Sequence, residues 1–343
     1  MKNTGEMSAS MKAQARKNFI SKYGSLVALF VLCIIITIIK PRFISPLNIR
    51  NVLRLASING LLAIGMTFVC LTGGIDLSVG AVMGCAGMYS AYFAQASMNM
   101  PWIVAVLVGL LMGFAVGLFN GICIAYLKVP AFVGTLGSMS VAKGLTYILT
   151  NAKPIPNLSE SFKAIGGGMV FNVIPIPIIV FTIILIGCFL LMYKTRYGRY
   201  VIAVGGNAKA ARVSGIDVKK ITASVYILSG ILAALAGIIT TARVTSGVTN
   251  TGDGYETDAI AMVVIGGTSL AGGKGRLWGT IVGILLMVCL SNGLDMLGVS
   301  AYYQMIVKGF VVIAAVMMDG LSSDLWGSLE LCIWQISEDL LKG

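Results

Sequence analysis

Long, continuous apolar runs recur along the whole of this chain, separated by short polar segments, and nothing else constrains its fold so strongly. A helix crossing the roughly 30 Å hydrocarbon core of a bilayer needs about 20 apolar residues, and the runs are of that order. Their apolar positions are contiguous and do not alternate with polar ones, which excludes a transmembrane barrel. Charged residues make up 11% of the sequence, less than half the roughly 25% of an ordinary soluble domain. The 42 glycines suit membrane helices in close contact, where small residues let backbones approach. The sequence therefore predicts an all-α polytopic membrane protein.

Taken in order, the runs give about ten transmembrane helices: 25–39, 51–71, a third from a glycine-rich break at 72–80 to about 95, then 102–127, 131–150, 176–193, 221–242, a short one at 257–270, 277–296 and 302–318. Of the intervening segments, 151–175 and 243–256 read as polar loops. The net charge of +12 is concentrated beside the spans: Lys2, Lys12, Arg16, Lys17 and Lys22 precede the first, and Lys194, Arg196, Arg199, Lys209, Arg212, Lys219 and Lys220 crowd the interruption at 194–220. Such clustering follows the positive-inside rule and is not a nucleic-acid footprint. It puts both termini, Lys128, the 194–220 stretch and Lys274 with Arg276 in the cytoplasm, against the contrary vote of Lys40, Arg42, Arg50 and Arg54. An extra half-span near 40–55 is the alternative topology.

Residues 1–20 form a cytoplasmic N-terminal segment and 21–318 the transmembrane domain. The 319–343 tail sets Leu325, Trp326, Leu329, Ile333, Trp334, Ile336 and Leu340 against Glu330, Glu338 and Asp339, the pattern of an interfacial or partner-docking amphipathic helix. GGIDLSVG at 73–80 echoes GGTSLAGG at 266–273, which suggests a parallel internal repeat.

Several chemistries are missing. Without a single histidine, and with seven cysteines mostly isolated inside apolar runs, the chain offers no zinc or haem ligation pattern and no histidine-based catalytic constellation. TSLAGGKG at 268–275 comes nearest to a phosphate-binding loop but lacks the first glycine and the final Ser or Thr, so ATP is not bound by that motif. The ionisable residues inside spans are Asp76, Lys143, Asp295 and Lys308. An Asp295–Lys308 pair across a short loop is one reading of the last two. Asp76 either caps the start of the third span or lines a solute path; four scattered charges make a poor proton relay.

Within the basic stretch, Asn207 can cap a short helix over 208–213 and Gly215 can end it in the left-handed conformation. Ala208, Ala210 and Ala211 give that helix a slim face suited to a groove on another protein, although the residues alone favour an ordinary solvated loop. GMTFVCLTGGIDLSVG (65–80), GRYVIAVGGNAKAARVSGIDV (198–218), SGILAALAGII (229–239), GYETDAIAMVVIGGTSLAGGKGRLWGT (254–280) and NGLDMLGVSAYYQMIVKG (292–309) together resemble the ribose-type permeases of sugar-importing ATP-binding-cassette systems.

The resemblance implies a bacterial inner-membrane subunit that pairs with a second copy of itself around one central path. It implies a coupling helix over Gly206, Asn207, Ala208, Ala210, Ala211, Ser214 and Gly215, docking a separate ATPase that carries the ATP and Mg. An extracytoplasmic sugar-binding protein would deliver a monosaccharide, and the chain itself would hold no cofactor and catalyse nothing. Asn59, Thr67, Thr72, Asp76, Ser78, Asn292 and Gln304 are the polar candidates for the path, each with helix–helix hydrogen bonding as the competing role. The rival reading is an ion-coupled transporter acting without an ATPase.

Overall fold

A computed structural model describes residues 24–317, and the fold is a helical bundle. Its helices are α1 (Gly24–Ile39), α2 (Pro46–Leu71), α3 (Val79–Phe93), α4 (Trp102–Ala125), α5 (Ala131–Thr150), α6 (Glu160–Gly167), α7 (Ile176–Lys194), α8 (Arg196–Gly206), α9 (Ala208–Val213), α10 (Val218–Val244), α11 (Tyr255–Ile265), α12 (Leu277–Met296) and α13 (Ala301–Met317). Each of the ten expected spans overlaps one of these helices, although the eighth, expected over 257–270, ends at Ile265. α2, α4, α7, α10 and α12 are each long and apolar enough to cross a bilayer, whereas α1, α3 and α13 are shorter apolar helices. The expected segments 1–20 and 319–343 lie outside the described residues.

The bundle is built around α10 and α2, which are largely buried while α4 and α7 are largely exposed. α10 packs on α4, α3 and α2, and α2 also meets α12, α11 and α7. The α4–α10 contact explains a spacing in the sequence. Gly109, Gly113, Gly117 and Gly121 fall one turn apart on α4, and a Cβ on any of them would strike α10 side chains or backbone at Ile238, Gly230, Tyr226 or Ala223. Small residues every fourth position let membrane helices approach to backbone contact, where dispersion and polar contacts replace a hydrophobic drive that lipid cannot supply.

Three regions differ from expectation. α2 begins at Pro46, with Ser45 as its N-cap accepting from Asn48 N–H, and a single 3₁₀ turn at Pro41–Ile44 precedes it. Residues 40–55 therefore hold no separate half-span: proline at the first helical position and serine before it start the long helix directly. The loop at 151–175 contains α6 and a small hairpin pairing Met169–Val170 with Ile174–Pro175, and Phe162 of α6 is buried with Ile155 and Leu158. The basic stretch contains α8 in addition to the expected short helix. Thr195 caps α8 at Tyr197 N–H, and its buried face is Gly198, Val201 and Val204. α8 and α9, with Arg196, Arg199, Lys209 and Arg212, make this the basic end of the bundle.

Candidate functional site

The basic end holds the docking candidate. Asn207 closes α8 and caps α9, its side-chain oxygen accepting from Ala210 N–H at 3.0 Å. Gly215 sits at φ +82°, its N–H donating to Arg212 O and that of Ile216 to Ala211 O, which is the Schellman closure that favours glycine. Asp217 then caps α10 at Lys220 N–H, 3.1 Å away, and that bond, with the Lys220 ammonium, holds its carboxyl below the usual range. Gly206, Asn207, Ala208, Ala210, Ser214 and Gly215 are exposed, as is Val213, while Ala211 is buried. The result is a rigidly capped turn-and-a-half of helix with a small-residue face and one bare valine.

This element rests on the two segments that echo each other in sequence. A Cβ on Gly205 would collide with the Leu71 carbonyl and Gly273 N, and one on Gly273 with the Gly206 backbone. Gly273 N–H donates to Leu71 O at 2.9 Å, and the Gly73 and Gly272 backbones also touch. Three glycine-bearing segments, one after α2, one ending α8 and one after α11, thus meet backbone to backbone.

Beyond Leu71 the chain turns back into the bundle, where Asp76 is 1% exposed. Its Oδ1 accepts from Ser78 N–H and Ser78 Oγ, and its Oδ2 from Ser229 Oγ of α10 at 2.8 Å. Ser78 Oγ also accepts from Asn120 Nδ2 of α4 at 2.9 Å. The carboxylate thus ties the start of α3 to α10 and, through Ser78, to α4.

The other path candidates lie elsewhere and also bond within the bundle. Thr67 bonds Ala63 O and the Thr280 hydroxyl, Asn292 exchanges two bonds with Asn48, and Gln304 Nε2 donates to Asp295 Oδ1. Asn59 and Thr72, both half-buried, donate to carbonyls of their own helix turn. Of these seven residues, Asp76 and Ser78 hydrogen-bond one another, and the others bond to different parts of the bundle.

A second polar region joins elements that the sequence showed only separately, the polar loop at 243–256 and the charges Lys143 and Lys308. After α10 the chain passes Gly247, which lies against Met88 and Ala91, and reaches Gly80 by Gly252. Ala91 to Gly80 is about 16 Å of helix at 1.5 Å per residue, so the segment descends deep into the bundle before α11 starts. Gly247 and Gly252 are buried along it, whereas Thr245, Asn250, Asp253 and Gly254 are exposed. Asp253 pairs with Lys143 of α5 at 2.8 Å, and Asp258 with Lys308 of α13 at 2.7 Å. Lys308 therefore joins α11 and not Asp295, which takes Gln304 instead. Glu256 Oε2 is buried without a hydrogen-bond partner. The available signal was GYETDAIAMVV, carboxylates in the first turn of a short apolar helix.

Comparison with known proteins sets these elements in context. The family described as "Branched-chain amino acid transport system / permease component" matches residues 48–316. The ribose import permease of Bacillus subtilis (strain 168) is 44% identical over 300 residues, covering 87% of this chain and 92% of the relative. The D-allose transport system permease of Escherichia coli (strain K12) is 37% identical, covering 89% and 93%. The galactose/methyl galactoside import permease of Salmonella typhimurium is 35% identical, covering 91% and 98%. No solved structure matches the chain. With most of its length inside the family and close relatives aligned nearly end to end, this multi-pass membrane protein belongs to the branched-chain amino acid transport system / permease component family.

Proposed function

We propose that this chain is the permease subunit of an ATP-driven importer of a ribose-type monosaccharide in a bacterial cytoplasmic membrane. The observation that carries the reading is 44% identity to ribose import permeases along nearly the whole of both chains. The family's description names amino acids, but the ribose, allose and galactose relatives carry sugars in their names, and full-length identity at that level is the narrower guide to solute class. Two copies enclose one path, the basic end faces the cytoplasm, and a separate ATPase holding the ATP and Mg docks on α9 through Asn207–Gly215. A separate sugar-binding protein delivers solute from outside. The permease contributes two conformations with different access, and no chemistry.

Two features support this over an ion-coupled carrier. Both oxygens of Asp76 are occupied by serine bonds, a structural use of the carboxylate. The α9 cap and stop make a preformed knob exposed at the basic end, which a carrier acting alone does not need. The test is uptake of labelled D-ribose by membranes containing the permease, ATPase and binding protein, together with co-purification of the ATPase. Scrambling 207–215 abolishes both while the spans stay inserted. Uptake that persists with the scrambled segment, or that a proton or sodium gradient drives without ATPase, sinks the proposal.

A further inference from the structure

The region around the start of α11 poses a physical problem. Lys143 and Asp253 lie well below the far end of the bundle, yet their side chains are 36% and 51% exposed. Thr257 and Ser140 are exposed beside them on α11 and α5. On α5, Gly137 and Gly144 flank Ser140 with open space where a Cβ would stand. Elsewhere the exposed surface is mostly apolar, as at Leu107, Leu111 and Phe114 on α4 and Ile183, Ile186 and Leu190 on α7, where the exposed Thr182 hydroxyl is bonded back to Ile178 O.

Charged side chains at bilayer depth face the protein interior or a water-filled cavity, because hydrocarbon cannot solvate them. Irregular backbone at that depth obeys the same rule. The 245–254 segment is irregular, with Thr245, Gly252 and Gly254 all at positive φ. Glu256 Oε2, buried and unpartnered at its foot, is the sort of acceptor that a water satisfies.

We propose that residues 250–258 and the facing stripe of α5 form a solute-contacting wall of the permeation path, with Lys143, Asp253, Thr257 and Ser140 meeting the hydroxyl groups of an uncharged polyol. Four of its charged groups pair off, Lys143 with Asp253 and Lys308 with Asp258, and Glu256 belongs to neither pair. The wall therefore offers donors and acceptors at close spacing, with opposite charges adjacent, which suits a neutral solute rich in hydroxyls. The identity of that solute rests on the sugar-importer reading; the wetness of the wall does not.

The experiment keeps the two apart. Thr257→Cys, Ser140→Cys and, as the lipid-facing control, Leu111→Cys are assembled with ATPase and binding protein and exposed to a charged, membrane-impermeant methanethiosulfonate reagent. The wild-type chain serves as background for its own cysteines. Only a thiolate in water reacts, so the first two label on the order of ten-fold or more faster than Leu111→Cys. D-ribose uptake by the labelled Thr257→Cys complex falls, and Thr257→Val alone raises the KM for uptake. Equal, slow labelling at all three positions overturns the proposal. So does spontaneous Thr257→Cys cross-linking between copies without labelling, which would make this face a dry contact. Fast labelling in a complex that imports no ribose upholds the wet wall and overturns its assignment to a sugar.

Discussion

Replacing Asp76 by alanine tests the bonding scheme at the α2–α3 break. The substitution removes three hydrogen bonds to a carboxylate that is almost wholly buried. At about 1.5–3 kcal/mol for each bond to a charged group, the gross loss is about 4.5–9 kcal/mol. Two effects offset it. Alanine relieves the several kcal/mol spent on taking a carboxylate out of water, and the Ser229 and Ser78 hydroxyls can turn onto backbone carbonyls nearby. A net loss of about 2–4 kcal/mol remains, much of it from the unpaired Ser78 N–H. Asp76→Asn keeps one acceptor for Ser78 and presents an amide to Ser229, whose hydroxyl can accept, so its loss is about 1 kcal/mol. Cys70 and Cys85 are buried in the folded chain, so a thiol-reactive fluorophore reads unfolding in detergent. With roughly 2 °C per kcal/mol in a chain of this size, Asp76→Ala lowers the midpoint by about 4–8 °C and Asp76→Asn by about 2 °C. An alanine variant as stable as wild type would refute the clasp. An asparagine variant that unfolds near wild type but transports nothing would show that the charge itself serves the cycle.

Other perturbations separate the remaining contacts. Asn292→Ala breaks the reciprocal pair with Asn48 and costs about 1–2 kcal/mol, at about 0.6 per interhelical bond with wide scatter; with Asn48→Ala added, the loss in the same thermal assay is less than additive. Lys308→Met strands Asp258 and costs about 2–3 kcal/mol, below the 3–5 of a fully buried pair because both groups retain some solvent. Asp258→Leu in that background recovers much of it, whereas Asp295→Asn changes the midpoint little. Gly215→Val forces a β-branched residue to φ +82°, a penalty of about 1–2 kcal/mol confined to the end of α9. Insertion and thermal midpoint hold, and ATPase co-purification weakens several-fold. Gly205→Ala puts a methyl onto the Leu71 carbonyl, costs about 1–3 kcal/mol by overpacking, and lowers D-ribose uptake more than Gly206→Ala, which meets open space.

Local signals were legible in the sequence and long-range ones were not. Hydropathy located ten helices, five of which, α2, α4, α7, α10 and α12, meet the length and apolarity that a bilayer demands whatever the helix touches. The α9 cap and stop were equally local: Asn207 and Gly215 act within a few residues of themselves. α8 was hidden because Arg196, Arg199 and Tyr200 make the stretch look polar, while its buried face is only Gly198, Val201 and Val204. The start of α2 was written in Ser45 and Pro46, but the nearby Arg50 and Arg54 drew the boundary inward. Lys308 shows the limit most clearly. Asp295 is its nearest acidic neighbour in sequence on the N-terminal side, yet the chain returns α11 to α13 and Asp258 takes the bond. The descent of 245–254 was unreadable for the same reason, since a glycine-rich polar segment looks alike on a surface and beside Gly80 and Gly84, and only the tertiary fold tells them apart.

On the proposed roles, the glycine junction is what would link these separate sites. Where side chains mediate a contact, a rotamer change can absorb a displacement; where backbones touch, close-packed interiors pass it on. At Gly73, Gly205 and Gly272–Gly273 no side chain intervenes, and a hydrogen bond from Gly273 to Leu71 fastens two of the three segments. Gly205 stands two residues before the Asn207 cap of α9. On the proposed docking role, a push on α9 therefore meets both helix breaks at once. One branch runs from Leu71 past Gly74, set against the Tyr226 hydroxyl, to the Asp76 clasp on α10. The other runs from Gly273 to α11, whose opposite end carries Glu256, Asp258 and the Asp253–Lys143 pair. A larger residue at any of these glycines would hold the segments apart and leave slack between the docking element and the polar wall, which is a physical reason for the same glycine-rich pattern to stand after both α2 and α11.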